Sequence, residues 1–340
     1  MAAPLLSLLI PVYNTSKSLV ACLNSILQKP FDDMEIICVD DGSTDNSLEI
    51  LRKYEKCDKR IKIISHPENS GLLKARRTGV EHASGRYIMF IDSDDTIDPG
   101  LCRKAVELIQ HHNTDIVQFS ARVRYLKKGK TDFIEPLTEK FSGKQVLENH
   151  FVFMNISTSL VVKIYNAEIC KQAFKEIPDI RCYVGEDVLT SFFIAYFTSS
   201  YVGVKTKVKY NYYFGKGISE EDGITLEKYK LYCEMNRFPE IVKAFLDRKS
   251  AEESDYNALA YMTNRLVNDC CNNFAMMQEN EKDEAWDLFW KSWSENQFFS
   301  KAMMFTINTI REIKDSESYK IGNAIVSPLH NIRNALGMKF

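Results

Sequence analysis

Asp92-Ser93-Asp94-Asp95 places three carboxylates within four residues. At neutral pH they repel one another, and a hard divalent cation with oxygen ligands relieves that repulsion. Ser93 keeps the turn small. Taken alone, such a run is more often a solvated turn that caps a helix, a role that suits Asp and Ser. Here it follows directly on the apolar run YIMFI at 87–91, and that position favours a ligand site. Asp40-Asp41-Gly42-Ser43 repeats the arrangement after EIICV at 35–39. An acid there can accept from a base N–H or a ribose hydroxyl, and a helix cap is the equal alternative. Asn69-Ser70-Gly71-Leu72-Leu73-Lys74-Ala75-Arg76-Arg77 runs from a loop into a helix. Helix N-termini attract phosphate, and arginine binds it with a planar fork. A solvated basic helix face is the plain alternative.

The elements that must position these residues are legible from the apolar pattern. Strands are expected at 5–10, 35–39, 61–64, 87–91 and 116–120. Helices are expected between them: one capped by Ser16 or Ser18, one opened by Ser43-Thr44-Asp45, and further ones near 72–83 and 101–111. Strands separated by helices predict an α/β fold with a mostly parallel sheet covered on both faces. Ligands then bind at the carboxyl ends of the strands. Pro11-Val12-Tyr13-Asn14, Asp40-Asp41 and Asp92–Asp95 all fall there. The middle section, about 121–220, is mixed, with a basic turn at Lys127-Lys128-Gly129-Lys130 and a β-rich segment at 201–214. ISEEDG at 218–223 reads as a linker, and the remainder as helical.

Composition narrows the function classes. The 340 residues are 45% hydrophobic and 26% charged, with a net charge of −2. This is an ordinary globular balance without a general nucleic-acid signature. Nine scattered cysteines with no C-x-x-C repeat argue against a disulfide framework or thiolate zinc, and favour a reducing cytosol. The N-terminal apolar run lacks a basic leader and ends at Pro11, so it is expected to be a buried strand and not a signal peptide. No stretch reaches the ~18 apolar residues of a membrane span. The N-x-S/T sequons at Asn14 and Asn155 are expected to be chance matches.

SLLIPVYN at 7–14, VDDGSTD at 39–45, NSGLLKARRTG at 69–79 and DSDD at 92–95 occur in the order and spacing of the family 2 glycosyltransferases, which this chain resembles. The resemblance is strong over about 5–120 and moderate over 150–220. It implies the GT-A nucleotide-sugar fold over 1–220, followed by a helical region over 221–340. It further implies a uracil pocket lined by Pro11 and Tyr13, with Asp41 accepting the base N3–H and Asp40 beside it. Asn69 and Arg76 would approach the diphosphate, and Asp92 the ribose, with Ser93 in the same turn. Asp94, with Asp95, would bind Mn²⁺ or Mg²⁺ bridging the diphosphate. The family loop often reads A-R-N where this chain has Ala75-Arg76-Arg77, which leaves the role of Arg77 open. Gly185-Glu186-Asp187 matches a G-E-D that precedes a helix in many members. Asp187 is thereby the expected general base and Glu186 its support, although both acids also suit a helix N-terminus. YNYYFGKGIS at 210–219 resembles an element that closes over the diphosphate, with Lys216 as its cation.

The expected activity is inverting transfer of a sugar from a UDP-sugar donor to a hydroxyl of a glycan acceptor, on the cytoplasmic side. Envelope polysaccharide of a bacterium is the expected setting. Two other readings compete with this one. A sugar-1-phosphate nucleotidylyltransferase would open with a glycine-rich loop, which is absent. A catalytically silent UDP-sugar-binding subunit would not need intact DSDD and GED. Toward the C-terminus, Trp286, Phe289, Trp290 and Trp293 form an aromatic stripe that reads as core, with an oligomer interface as a further use. The tail from 318 to 340 is basic and amphipathic, and reads equally as a docked helix or a peripheral membrane contact.

Overall fold

The computed structural model describes residues 3–28, 31–215, 224–294 and 296. Chain contacts divide it into two units, at residues 221 and 222.

The first unit opens with three βα units and a fourth strand. They comprise β1 (Leu6–Val12), α1 (Ser16–Leu27), β2 (Met34–Asp40), α2 (Ser47–Cys57), β3 (Ile61–Ser65), α3 (Leu72–His82) and β4 (Tyr87–Phe90). Every residue of β1, β2 and β4 is buried, as expected of strands covered on both faces. Next come β5 (Thr96–Ile97), α4 (Leu101–His112), β6 (Ile116–Phe119), β7 (Ala121–Tyr125), β8 (Lys130–Ile134) and β9 (Lys140–Ser142). The unit ends with α5 (Lys144–Phe151), β10 (Lys163–Asn166), α6 (Ala167–Glu176), α7 (Glu186–Phe197), β11 (Ser200–Val204) and β12 (Tyr210–Phe214).

The large sheet has the order β3-β2-β1-β4-β10-β6-β11-β9. β10 and β9 run against the common direction, so the mostly parallel α/β sheet is observed. A second sheet has the order β5-β12-β7-β8. β1 pairs in parallel with β2 on one side and β4 on the other. The carboxyl ends of these three strands therefore share one edge, where the acidic turns 40–43 and 92–95 flank the turn that follows β1.

Some local expectations are corrected. α2 begins at Ser47, not at Ser43. The carboxylate of Asp45 accepts from the amides of Ser47 (2.9 Å) and Ser16 (3.0 Å) and so holds residues 43–46 as a loop. Thr15, not Ser16 or Ser18, occupies the cap position of α1. Ser18 instead donates toward the carbonyls of Thr15 and Ser93, tying α1 to the acidic turn. The β-rich segment 201–214 splits into β11 and β12, which belong to different sheets.

The second unit contains α8 (Leu226–Cys233), a 3-10 turn, α9 (Phe238–Arg248), α10 (Glu253–Ala275) and α11 (Lys282–Trp293). Phe289 and Trp293 are buried, and Trp286 packs on Phe274 with ring centres 5.6 Å apart. The aromatic stripe is thus core within this unit. Among the described residues no helix is long and apolar enough to cross a membrane. The linker at 218–223 and the tail at 318–340 lie outside the described residues.

Candidate active site

The first group of site residues gathers around Asp41. Its carboxylate is buried, with Oδ1 3.0 Å from the Ser70 amide and 2.6 Å from Nδ1 of His66. Oδ2 accepts from the Gly71 amide at 2.8 Å. A carboxylate can only accept, so His66 donates from Nδ1, while its Nε2 lies 2.9 Å from the Thr78 hydroxyl. Asp41 therefore holds the 66–71 loop, and the second lone pair of Oδ2 is what remains for a base N–H. Asp40 is buried at the end of β2, with Oδ1 3.4 Å from the Ser43 amide. Asn14, at φ 52, accepts from the amides of Thr44 (2.8 Å) and Asp45 (3.2 Å). That contact fixes the turn after β1 to the turn after β2, with Pro11 buried and Tyr13 44% exposed beside it. An exposed ring on such an edge has a face available for stacking.

Two glycines permit the loops to cross closely. Gly42 has φ +71, and a Cβ there would lie 2.5 Å from the Glu68 carbonyl carbon. Gly71 has φ +96, and a Cβ would lie 2.8 Å from the Cys182 oxygen. Only glycine meets both demands. The 66–71 loop is thereby sandwiched between the VDDGS turn and the loop that leads to Glu186. Asn69 is half-buried in it. Its side chain accepts from the Gly71 amide, and its carbonyl accepts from Arg181 at 2.7 Å.

The acidic turn is divided in its roles. Ser93 is buried, and Asp92 and Asp94 are half-buried. Asp95 is 1% exposed, differing from the expectation that it faces a metal beside Asp94. Its Oδ2 accepts from the Tyr210 hydroxyl at 2.7 Å and its Oδ1 from the Tyr213 amide at 2.9 Å. Tyr210 in turn accepts from the Asp92 amide at 3.1 Å. Burial, then the charges of Asp92 and Asp94, push the Asp95 carboxyl up to about 8. Burial is the larger cause of that rise, and the neighbouring carboxylates add to it.

Arg76 joins this turn to α7. One terminal nitrogen donates to Asp92 Oδ1 at 2.8 Å and the other to Glu186 Oε1. Burial opposes the Arg76 charge, but Asp92, Glu186 and Asp187 outweigh it and hold its pKa above the usual arginine value. Burial pushes the Glu186 carboxyl up to about 7, with Arg76 opposing and Asp187 and Asp92 adding to the rise. Asp187 is half-buried in the first turn of α7, which starts after Gly185 at φ 74. Arg76 is thus spent on two carboxylates, where direct diphosphate contact was expected of it. Arg77 has a defined task. It donates to the carbonyls of Ile177 (2.7 Å) and Pro178 (2.9 Å), fixing the segment before the Gly-Glu-Asp loop.

Among the described residues no group of three or more His, Cys, Asp or Glu side chains is set to hold a metal unaided. Magnesium-type sites commonly need only one or two carboxylates, because substrate phosphates supply further oxygens. The half-buried carboxylates Asp92 and Asp94, two residues apart in one turn, suit that arrangement. Lys216 lies outside the described residues. The parts played by His66 and Tyr210 are not legible in the sequence. Their partners are 12 to 118 residues away, so no local pattern announces them.

The model of the family described as glycosyl transferase family 2 matches residues 7–164. The chain is 40% identical over 114 residues to the uncharacterized glycosyltransferase EpsJ of Bacillus subtilis, covering 34% of this chain and 33% of that protein. It is 40% identical over 114 residues to the poly(ribitol-phosphate) beta-glucosyltransferase of Bacillus spizizenii, covering 33% of this chain and 18% of that protein. The match spans about a third of the first of these relatives and less of the second. In fold, the chain resembles S. aureus TarS 1–349 in complex with UDP-GlcNAc, with a TM-score of 0.55 and 18% identity over 87% of this chain and 90% of that one. Residues 7–164 of this chain thus match glycosyl transferase family 2, and the fold is similar to that of TarS.

Proposed function

We propose that the chain transfers a sugar from a UDP-sugar to a hydroxyl of a cell-envelope glycan, with inversion at the anomeric carbon. The observation that carries this reading is the Arg76 bridge between Asp92 and Glu186. It sets the start of α7, and with it Asp187, beside the acidic turn that follows β4. A donor diphosphate held at the strand ends would thus lie within reach of a carboxylate. The structures of TarS with UDP-GlcNAc and UDP support a UDP-sugar as the donor class.

Tyr13 offers a stacking face to the base, with Pro11 beneath it, Asp40 and Asn69 at the rim, and Asp41 accepting the base N–H. Asp92 turns its second oxygen to the ribose. Asp94, with Asp92, would hold Mn²⁺ or Mg²⁺, which when bound would offset charge on the diphosphate. Asp95 and Ser93 act from beneath, keeping the turn in place. Asp187 takes the proton from the acceptor hydroxyl as that oxygen attacks the anomeric carbon. The bond to the UDP oxygen breaks on the opposite face, and the electron pair leaves with UDP. Glu186 and Arg76 hold Asp187 in position.

The test is UDP release from a panel of UDP-sugars with Mn²⁺, Mg²⁺ or EDTA, together with an Asp187→Asn variant. Cation-dependent release with one donor, lost in the variant while UDP binding persists, is the expected result. Loss of UDP binding in Asp187→Asn would remove the base assignment. UDP binding with no turnover under any condition would instead support the silent-subunit reading.

A further inference from the structure

The second sheet carries more positive charge than the rest of the chain. Residues 121–134, which span β7, its turn and β8, hold Arg122, Arg124, Lys127, Lys128 and Lys130 against one acid, Asp132. This is a net of four positive charges in a chain whose net charge is −2. Strand register places Arg122 opposite Phe133 and Arg124 opposite Thr131, and across β12 it places Arg124 beside Tyr213. Residues paired across strands share a face, so Arg122, Arg124, Phe133 and Tyr213 form one surface of basic and aromatic side chains.

Those side chains are not equally committed. Arg122 is bound to Asp98 at 2.7 Å. Arg124 is exposed, sits 6.0 Å from the centre of the Tyr213 ring, and has no acidic partner among the described residues. Lys128 lies over the Tyr125 ring at 5.9 Å; Tyr125 alternates with Arg124 along β7, so Lys128 sits at the turn end of the sheet, beside the Arg124 face and not on it. Phe133 is 56% exposed, with Lys209 5.6 Å from its ring centre. The surface is continuous with the donor site through Tyr213, whose amide bonds Asp95 and whose hydroxyl lies 3.2 Å from that of Thr96.

Resting on the glycosyltransferase reading, we propose that this face, with the lysines of its turn, docks an acceptor that is an anionic glycan. Aromatic faces stack on sugar rings, and the adjacent cations pair with carboxylates or phosphates along the chain. A neutral acceptor would leave Arg124 and Lys128 without a counter-charge. Leu126, Phe133 and Ile134 are exposed on the same hairpin, so vesicles enter the test as the competing occupant, and the cations beside the aromatic rings are what favour an anionic glycan.

The test is binding of the full chain to polygalacturonate, to neutral dextran, and to vesicles of equal parts phosphatidylcholine and phosphatidylglycerol. Arg124→Gln/Lys128→Gln and Phe133→Ala are compared with a control, Lys104→Gln/Lys171→Gln. We expect polygalacturonate to bind far better than dextran, to weaken with salt, and to lose on the order of tenfold affinity in the double variant. Phe133→Ala should weaken it too, and the control should not. UDP binding, measured in parallel, should be unchanged in every variant. Equal polygalacturonate binding by wild type and the double variant overturns the proposal, as does binding to vesicles without binding to polygalacturonate. Failure of the wild type to bind UDP would instead remove the glycosyltransferase reading beneath it.

Discussion

Arg76 donates to Asp92, 16 residues away, and to Glu186, 110 residues away. One buried guanidinium therefore sets the distance between the acidic turn after β4 and the first turn of α7. Both carboxylates would repel across that gap without it. Removing one partner of a buried ionic cluster leaves uncompensated charge.

Arg76→Ala should therefore cost about 3 kcal/mol or more in stability, and UDP release should fall by more than a hundredfold (roughly the loss of one preorganised charged contact). Arg76→Lys keeps the charge but cannot fork to two acids, so it should recover stability better than activity. Thermal melts and UDP-release rates decide this. Near-normal turnover in Arg76→Ala would show that the bridge is only structural.

Gly71→Ala tests the loop crossing. The left-handed backbone and the 2.8 Å approach of a Cβ to the Cys182 oxygen both oppose a side chain. The expected cost is about 1–3 kcal/mol, with a displaced Gly-Glu-Asp loop. Activity should fall more than UDP affinity, because the clash falls on the Cys182 side of the loop while the Gly71 amide can keep its bond to Asp41. Equal losses in both would place Gly71 in the nucleotide pocket itself.

Tyr210→Phe removes a hydroxyl that serves Asp92 and Asp95 together. A buried carboxylate oxygen loses its donor, at about 1–3 kcal/mol. The acidic turn should loosen, and the Mn²⁺ concentration needed for half-maximal UDP release should rise. An unchanged Mn²⁺ response would mean that the turn is held by its other contacts.

Glu35 sets a pH dependence unrelated to catalysis. Burial pushes its carboxyl up, but Lys62, Ser7 and Ser84 outweigh burial and hold it at about 2. The contacts are 2.6 Å to the Ser7 hydroxyl, 2.6 Å to the Lys62 amine and 2.7 Å to the Ser84 amide. A depressed acid stabilises the fold at pH values above its unfolded pKa, and that contribution fades as pH falls through the folded value. Stability should thus drop between about pH 4.5 and about pH 2. Glu35→Gln should lose about 1.5–3 kcal/mol at pH 7 and show a flatter acid limb in chemical denaturation across pH.

The sequence by itself determined the α/β order, because buried parallel strands must be continuous apolar runs. It also determined the placement of the acidic turns at strand ends and the aromatic core of the last helices. These are local facts of pattern and period. Only the tertiary structure decided how the acids divide their roles. Asp95 and Asp94 are neighbours in the chain, yet Asp95 is buried against Tyr210 and the Tyr213 amide, while Asp94 stays half-buried beside Asp92. Likewise Arg76 reads as a phosphate ligand from its position in α3, and folding commits it to Asp92 and Glu186. His66 and Tyr210 gained their parts only through partners on distant strands and loops. The physical reason is common to all of them. Which lone pair is left for a ligand depends on every donor the folded chain brings to it, and most of those donors come from elsewhere in the sequence.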